Sequence, residues 1–305
     1  MQKITPPFLL QACTSLLFII VSLFLNVVEA STDKVKVVAT ITPLADFARQ
    51  VGGSRVDVTL LLPAGASPHT YEATPKTVLE ISKARVFIKI GAGLEFWADK
   101  LVSAASRDVI TVTCSDGIAL IKGGVRDYDH DHGHAASNVD PHIWLDPIIC
   151  IRIINKIEDA FSRADPSNSS YYKKNASEYI ARLTSLDREI SEKVRTFRTK
   201  EYITFHSAWN YFSKRYGLRV AGVIEEGPGK EPSARHIGEI LRLIKGLKTR
   251  VVFAEPQSST RIAEVIAKEA GAQVLILDDL GGQKGRETYL DLMRYNLAVM
   301  EKAFK

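Results

Sequence analysis

Short β-branched runs alternate with helix-patterned stretches along the chain, and this alternation restricts the fold more than any other feature. Residues 35–41, 56–62, 85–90 and 109–113 are rich in Val and Ile and read as buried strands. Helical patterns at 44–51, 77–83 and 95–105 lie between them. The pattern resumes with strands at 202–205, 218–223, 250–254 and 273–277, separated or followed by helical patterns at 208–216, 233–247, 260–270 and 287–304. Strand–helix alternation at this spacing predicts βαβ units and a parallel sheet. The expected fold class is therefore α/β, with two sets of four strands, each set a mainly parallel sheet with surrounding helices.

A single long helix is expected between the two sets. Asp165-Pro166-Ser167-Asn168 is a start signal, with cap-forming side chains around a proline. Tyr172, Ala176, Tyr179, Leu183, Leu186, Ile190, Val194 and Phe197 then recur at steps of three and four, drawing one narrow apolar stripe. Lys173, Lys174, Glu178, Arg182, Asp187, Arg188, Glu192 and Lys193 hold the opposite face. A helix of about 30 residues is about 45 Å long. Too short for an extended coiled coil, it reads as a rigid strut joining two α/β halves.

The first 30 residues carry a different signal. Lys3 precedes an apolar run over 8–28, and Val28-Glu29-Ala30 places small residues at the −3 and −1 positions before Ser31. This is a secretory signal, and it predicts a periplasmic protein. About 20 apolar residues also match an uncleaved anchor. Lipidation at Cys13 fits poorly, because the apolar run mostly follows that cysteine. The expected division is a signal at 1–30, an N-terminal lobe at 31–164, the linking helix at 165–199 and a C-terminal lobe at 200–305. Beyond the signal only Cys114 and Cys150 remain, with no Cys-x-x-Cys, which excludes a thiolate metal site and a thioredoxin-type redox site. The net charge of +5 is scattered, with no aromatic-interleaved basic face, so nucleic acid is not an expected partner.

Polar candidates stand just after the carboxyl ends of the strands, where open parallel sheets bind ligands. The small-residue loop 63–72 presents His69, His206 directly follows the 202–205 strand, and Asp278 and Asp279 follow 273–277. His142 sits in Asp140-Pro141-His142-Ile143-Trp144-Leu145-Asp146-Pro147, where a stiff turn holds an imidazole between two carboxylates. Three imidazoles and a carboxylate, two from each half, match four-coordinate binding of a borderline-soft divalent cation. Two other features carry no ligand. Gly91-Ala92-Gly93 lacks the third glycine of a dinucleotide loop, since Phe96 stands there, and reads as a tight turn. His236, beside Arg235 on a helical stretch, reads as a surface histidine.

Gly65-Ala66-Ser67-Pro68-His69-Thr70-Tyr71-Glu72, the 140–147 stretch, Phe205-His206, Phe253-Ala254-Glu255-Pro256-Gln257 and Leu277-Asp278-Asp279-Leu280-Gly281-Gly282 together resemble the zinc/manganese-type substrate-binding proteins of metal ABC transporters. The resemblance runs through the whole mature chain in order. It implies two α/β lobes bridged by one backbone helix, a metal in the cleft between them, and delivery by a monomer to an inner-membrane ABC permease. Carried over by position, the ligands are His69, His142, His206 and Asp278. Asp278 is preferred to Asp279 because it immediately follows the strand. The third position tends to be glutamate in manganese-type members and histidine in zinc-type ones, so His206 implies Zn2+ rather than Mn2+. The run 128–134 resembles the His/Asp-rich loop of the zinc type, and His130, His132 and His134 are either auxiliary ligands or parts of a polar loop. Glu255 resembles a cleft glutamate of the family, and a helix cap is the other reading.

A zinc-dependent hydrolase is the alternative from another class. It is disfavoured because the chain has no His-Glu-x-x-His helix and four protein ligands close a tetrahedral site. A surface adhesin, a label some relatives carry, has no distinguishing sequence feature. With three unperturbed imidazoles, metal affinity is expected to fall steeply below about pH 6.5.

Overall fold

The computed structural model describes residues 33–105, 108–123, 139–227, 229–247 and 250–305. The expected export signal and His130, His132 and His134 lie outside the described residues.

The first half runs β1 (Val35–Ala39), α1 (Thr42–Gly52), β2 (Val56–Leu60), α2 (Pro75–Ser82), β3 (Val86–Lys89), α3 (Ala98–Ala105) and β4 (Ile110–Thr113). The second half runs β5 (Glu201–Thr204), α6 (Asn210–Tyr216), β6 (Arg219–Val223), α7 (Ala234–Gly246), β7 (Val251–Ala254), α8 (Thr260–Ala270), β8 (Gln273–Ile276) and α9 (Tyr289–Phe304). Two helices lie between them, α4 (Pro147–Ala164) and α5 (Ser169–Arg195). Each half forms one four-stranded sheet with all neighbours parallel, in the orders β2-β1-β3-β4 and β6-β5-β7-β8. The two orders are the same, so each sheet reverses its winding between its first and third strands. That reversal opens a crevice at the strand carboxyl ends.

Alternation along each strand assigns its side chains to two cores. In β1 and β3, Val37, Ala39, Val86 and Ile88 face a large shared cluster, while Val38 and Phe87 face a smaller one with Ile81 and Ala98. In β5 and β7, Tyr202, Val251 and Phe253 face the shared cluster, while Ile203, Val252 and Ala254 pack with Ile240 and Ile266. The shared cluster runs without interruption through both halves. It is continuous because α1, α4, α5 and α9 fill the space between the two inner sheet faces.

The long helix α5 runs unbroken over 27 residues. Tyr172, Ala176, Tyr179, Leu183, Leu186, Ile190 and Val194 are its buried positions, the stripe that the three-and-four spacing predicts. A shared carboxylate links it to two neighbouring helices. Asp46 of α1 accepts from Tyr179 Oη at 3.2 Å and from the Tyr289 backbone N–H of α9 at 2.8 Å.

One helix begins later than the sequence pattern suggests. Gly91, Ala92 and Gly93 all have positive φ, and a Cβ on Gly91 would lie 2.6 Å from Thr113 Cγ2. The turn is held by Glu95, which accepts from Thr40 Oγ1 at 2.6 Å and from the Ile90 and Gly91 N–H groups at 2.9 Å each. Glu95 therefore belongs to the turn, and α3 starts at Ala98. Burial raises the pKa of this carboxyl, against the bonds it accepts from Thr40, Ile90 and Gly91.

Candidate metal centre

His69, His142 and His206 converge from three separate segments. His142 Nε2 lies 3.1 Å from His69 Nε2 and 3.3 Å from His206 Nε2. All three nitrogens fall within 4.8 Å of one another, and no other such trio of His, Cys, Asp or Glu occurs among the described residues. A tetrahedral zinc ion with bonds of about 2.05 Å needs its nitrogen ligands about 3.3 Å apart. The two separations from His142 fit that need.

Local backbone and buried carboxylates set each ring. The loop after β2 carries His69, whose backbone N–H donates to Ser67 Oγ at 3.3 Å. His142 precedes a 3-10 turn over Ile143–Leu145. Asp140 Oδ1 receives the His142 backbone N–H at 2.9 Å and lies 2.7 Å from its Nδ1. Asp140 is itself held by Asn210 Nδ2 at 3.0 Å on its other oxygen and by Tyr211 Oη at 3.0 Å on its carbonyl. Asp146, the other flanking carboxylate, turns away and caps α4 by accepting from Ile148 and Ile149 N–H. His206 follows β5, and its Nδ1 contacts Glu255 Oε2, which follows β7. Those are the two strands between which the second sheet reverses, so His206 and Glu255 meet across the crevice. Glu255 thus backs a ring instead of capping a helix.

Carboxylates on Nδ1 of His142 and His206 leave Nε2 of each ring facing the cluster, the arrangement that fixes the tautomer of a metal-ligating imidazole. Asp140→Asn and Glu255→Gln are each expected to weaken metal binding about 10–100-fold with unchanged unfolding midpoints of the metal-free protein. Competition against a chelator of known affinity measures this, and a change below twofold in both variants would remove their assigned role.

The expected carboxylate ligand does not join the cluster. Asp278 accepts from Leu280 N–H at 3.0 Å, from Gly281 N–H at 2.9 Å and from Arg286 Nη1 at 2.8 Å. Both of its oxygens are committed to closing the loop after β8. Its neighbour turns the other way, and Asp279 Oδ2 lies 4.0 Å from His206 Nε2. The chain reverses there, so residues one apart point to opposite sides. Trp144 Nε1 donates to the Asp279 carbonyl at 2.6 Å and ties this loop to the segment that carries His142. His236 stands outside the cluster and donates to the Val223 carbonyl at 2.8 Å. Cys114 and Cys150 are buried free thiols.

Burial and neighbours give the three imidazoles unequal proton affinities. Burial, reinforced by the two facing rings, lowers the His69 pKa to about 2. Burial also lowers His142, against the pull of Asp140. For His206 burial again opposes charge, but Glu255 and then Asp279 overcome it and push the pKa up to about 10. Burial raises the Asp279 carboxyl. The metal-free site therefore holds its proton on the His206 side.

A family model described as the periplasmic zinc-uptake complex component A matches residues 37–303. The high-affinity zinc uptake system protein ZnuA of Bacillus subtilis (strain 168) is 32% identical over 285 residues, covering 90% of this chain and 88% of that protein. The zinc-binding lipoprotein AdcA of Streptococcus pneumoniae is 31% identical over 283 residues, and the match spans 90% of this chain but only 56% of AdcA. The crystal structure of the Zn(II)-bound ZnuA-like domain of Streptococcus pneumoniae AdcA superposes with a TM-score of 0.75 at 30% identity, covering 89% of this chain and 99% of that one. The chain thus spans about half of the pneumococcal lipoprotein and nearly all of its ZnuA-like domain.

Proposed function

The chain belongs to the periplasmic zinc-uptake component A family, and on that premise we propose that it captures Zn2+ outside the cytoplasm and delivers it to an ABC permease. The observation that carries this reading is the convergence of three imidazoles, with His142 Nε2 at 3.1 and 3.3 Å from the other two Nε2 atoms, separations that suit ligands of one tetrahedral ion. The proposed ligands are His69, His142 and His206, with Asp279 in place of Asp278 as the fourth. Nitrogen-rich sets suit zinc, whereas manganese favours oxygen. Four protein ligands close the coordination sphere to a catalytic water, which favours holding the ion over hydrolysis. The reading treats residues 1–30 as an export signal and 31–164, 165–199 and 200–305 as lobe, linking helix and lobe. Among the described residues no helix is long and apolar enough to cross a membrane. Metal analysis of protein purified without chelator, followed by competition between zinc and manganese, tests the reading. Stoichiometric manganese that zinc fails to displace would overturn it.

The proton on His206 sets the pH dependence. Zinc must displace it, and because the metal-free pKa is about 10, the ring is cationic at pH 8. Affinity should therefore rise by about one decade per pH unit up to about pH 10 and flatten above it. Toward acid the slope should steepen, as Asp279, with its raised pKa, takes up a second proton. This replaces the threshold near pH 6.5 expected from three unperturbed rings, because burial keeps His69 and His142 neutral there. Calorimetry at pH 8 in two buffers of different ionisation enthalpy should count about one proton released per zinc.

A further inference from the structure

Asp278 is immobilised through every polar group it has. Asn296 of α9, fully buried, receives the Asp278 backbone N–H on Oδ1 at 2.8 Å and donates from Nδ2 to the Asp278 carbonyl at 2.6 Å. One side-chain amide thereby continues the hydrogen bonding of edge strand β8 past its end. The Asp278 carboxylate accepts from the Leu280 and Gly281 N–H groups on Oδ1 and from Arg286 on Oδ2. The Arg286 side chain is only 13% exposed, and its guanidinium also donates to Gln283 Oε1 and lies 4.4 Å from the Tyr295 ring centroid. Its backbone closes the loop, with its carbonyl accepting from the Gly282 N–H and its N–H donating to the Gln283 carbonyl, each at 2.9 Å. Gly282, at positive φ, brings this loop against the other half of the chain. A Cβ there would lie 3.1 Å from Thr42 Oγ1 of α1 and 3.6 Å from Ala64 Cβ, in the loop that carries His69.

The next residue is Asp279, whose carbonyl is held by Trp144. Its backbone is therefore fixed on both sides, and only its side-chain torsions are left to aim the carboxylate, whose Oδ2 lies 4.0 Å from His206 Nε2. A binding group has to be held within about 0.5 Å of its productive geometry, and such precision comes from the residues behind it. Electrostatics argues against any other part for Arg286. A guanidinium on the same loop as a cation's ligand opposes the cation. Its loss, which also leaves Asp278 unneutralised, would by charge alone draw zinc in more tightly. A buried ion pair is also weak evidence for stability. Geometry is what remains for this arginine to supply.

We infer that Arg286 and Asn296 are positioning residues, which act through Asp278 to hold Asp279 as the fourth ligand. The inference rests on the metal-binding reading above. Two adjacent carboxylates then divide their roles. Asp278 neutralises an arginine and fixes the chain, and Asp279 faces the histidines.

Chelator competition on the wild type, Asp279→Ala, Arg286→Met and the double variant tests the assignment. Each single change is expected to weaken zinc binding about tenfold. The double variant is expected to match Asp279→Ala, because Arg286 then has no ligand left to position, whereas independent residues would multiply to about a hundredfold. Asn296→Ala leaves the charge of the site unchanged and is expected to behave like Arg286→Met. It carries the same cycle if the arginine variant fails to fold. The visible bands of bound cobalt(II) are expected to shift in Arg286→Met and Asn296→Ala to the position they take in Asp279→Ala, a change that a loss of stability alone does not produce. Zinc affinity unchanged or tighter in Arg286→Met, multiplied effects in the double variant, or wild-type cobalt bands in both positioning variants overturns the assignment. Failure of the metal-binding reading is told apart, because the wild type itself would then bind neither zinc nor cobalt.

Discussion

Alanine at position 142 is expected to abolish tight zinc binding, with His69→Ala and His206→Ala close behind. His142 is the middle member of the cluster, with its Nε2 3.1 Å from one neighbour and 3.3 Å from the other. Its removal deletes one proposed ligand and also leaves Asp140 buried without the ring it backs. The loss should exceed the roughly 10–100-fold expected for an outer partner alone. Bound zinc stabilises only the folded chain, by about 2.7 kcal/mol at a hundredfold excess over Kd. The wild type should therefore show a zinc-dependent rise in Tm that the alanine variants lack. An equal rise in His142→Ala would refute the three-histidine site. His206→Glu is expected to move preference from zinc toward manganese, because a hard oxygen replaces a borderline nitrogen beside Glu255 and Asp279.

The largest expected loss of stability comes from Trp144→Ala, about 3–5 kcal/mol. Trp144 is fully buried in the shared core, and its ring centroid lies 5.2 Å from that of His142. Its indole N–H satisfies the Asp279 carbonyl, so alanine creates both a cavity and an unpaired buried acceptor. Trp144→Phe keeps most of the packing and should cost about 1–3 kcal/mol through the hydrogen bond alone. Denaturant unfolding of the metal-free protein measures both. A loss below 1 kcal/mol for alanine would show that the core closes over the gap and that Trp144 does not tie the two segments together.

The difference between Asp278 and Asp279 marks where sequence ceased to be informative. Both follow β8, and adjacency to the strand favours Asp278. The fold gives Asp278 other partners, because Arg286, eight residues on, together with the Leu280 and Gly281 amides, draws it into the loop. No periodicity encodes such a pairing. Glu255 shows the same limit in reverse. Its contact with His206 depends on β5 and β7 lying side by side, and a helix cap fits the local sequence equally well. Asp140 and Asp146 both flank His142 in sequence, yet one backs the ring and the other caps a helix. The sign was present in Pro147, which opens α4 and makes its predecessor the cap.

What the sequence determined by itself was everything written in short-range pattern. Strands came from β-branched runs, the long helix from a stripe that never loses phase, and the three histidines from their places at strand ends and before a helix. These features are legible because secondary structure is set by residues a few positions apart. Tertiary structure alone decided that the two halves share one core, which carboxylate turns toward the three histidines, and which imidazole is the most basic. Those outcomes depend on desolvation and on charges brought together across 49 residues for His206 and Glu255 and 135 for Trp144 and Asp279. A side chain's direction and its proton are properties of its surroundings, and the surroundings exist only once the chain has folded.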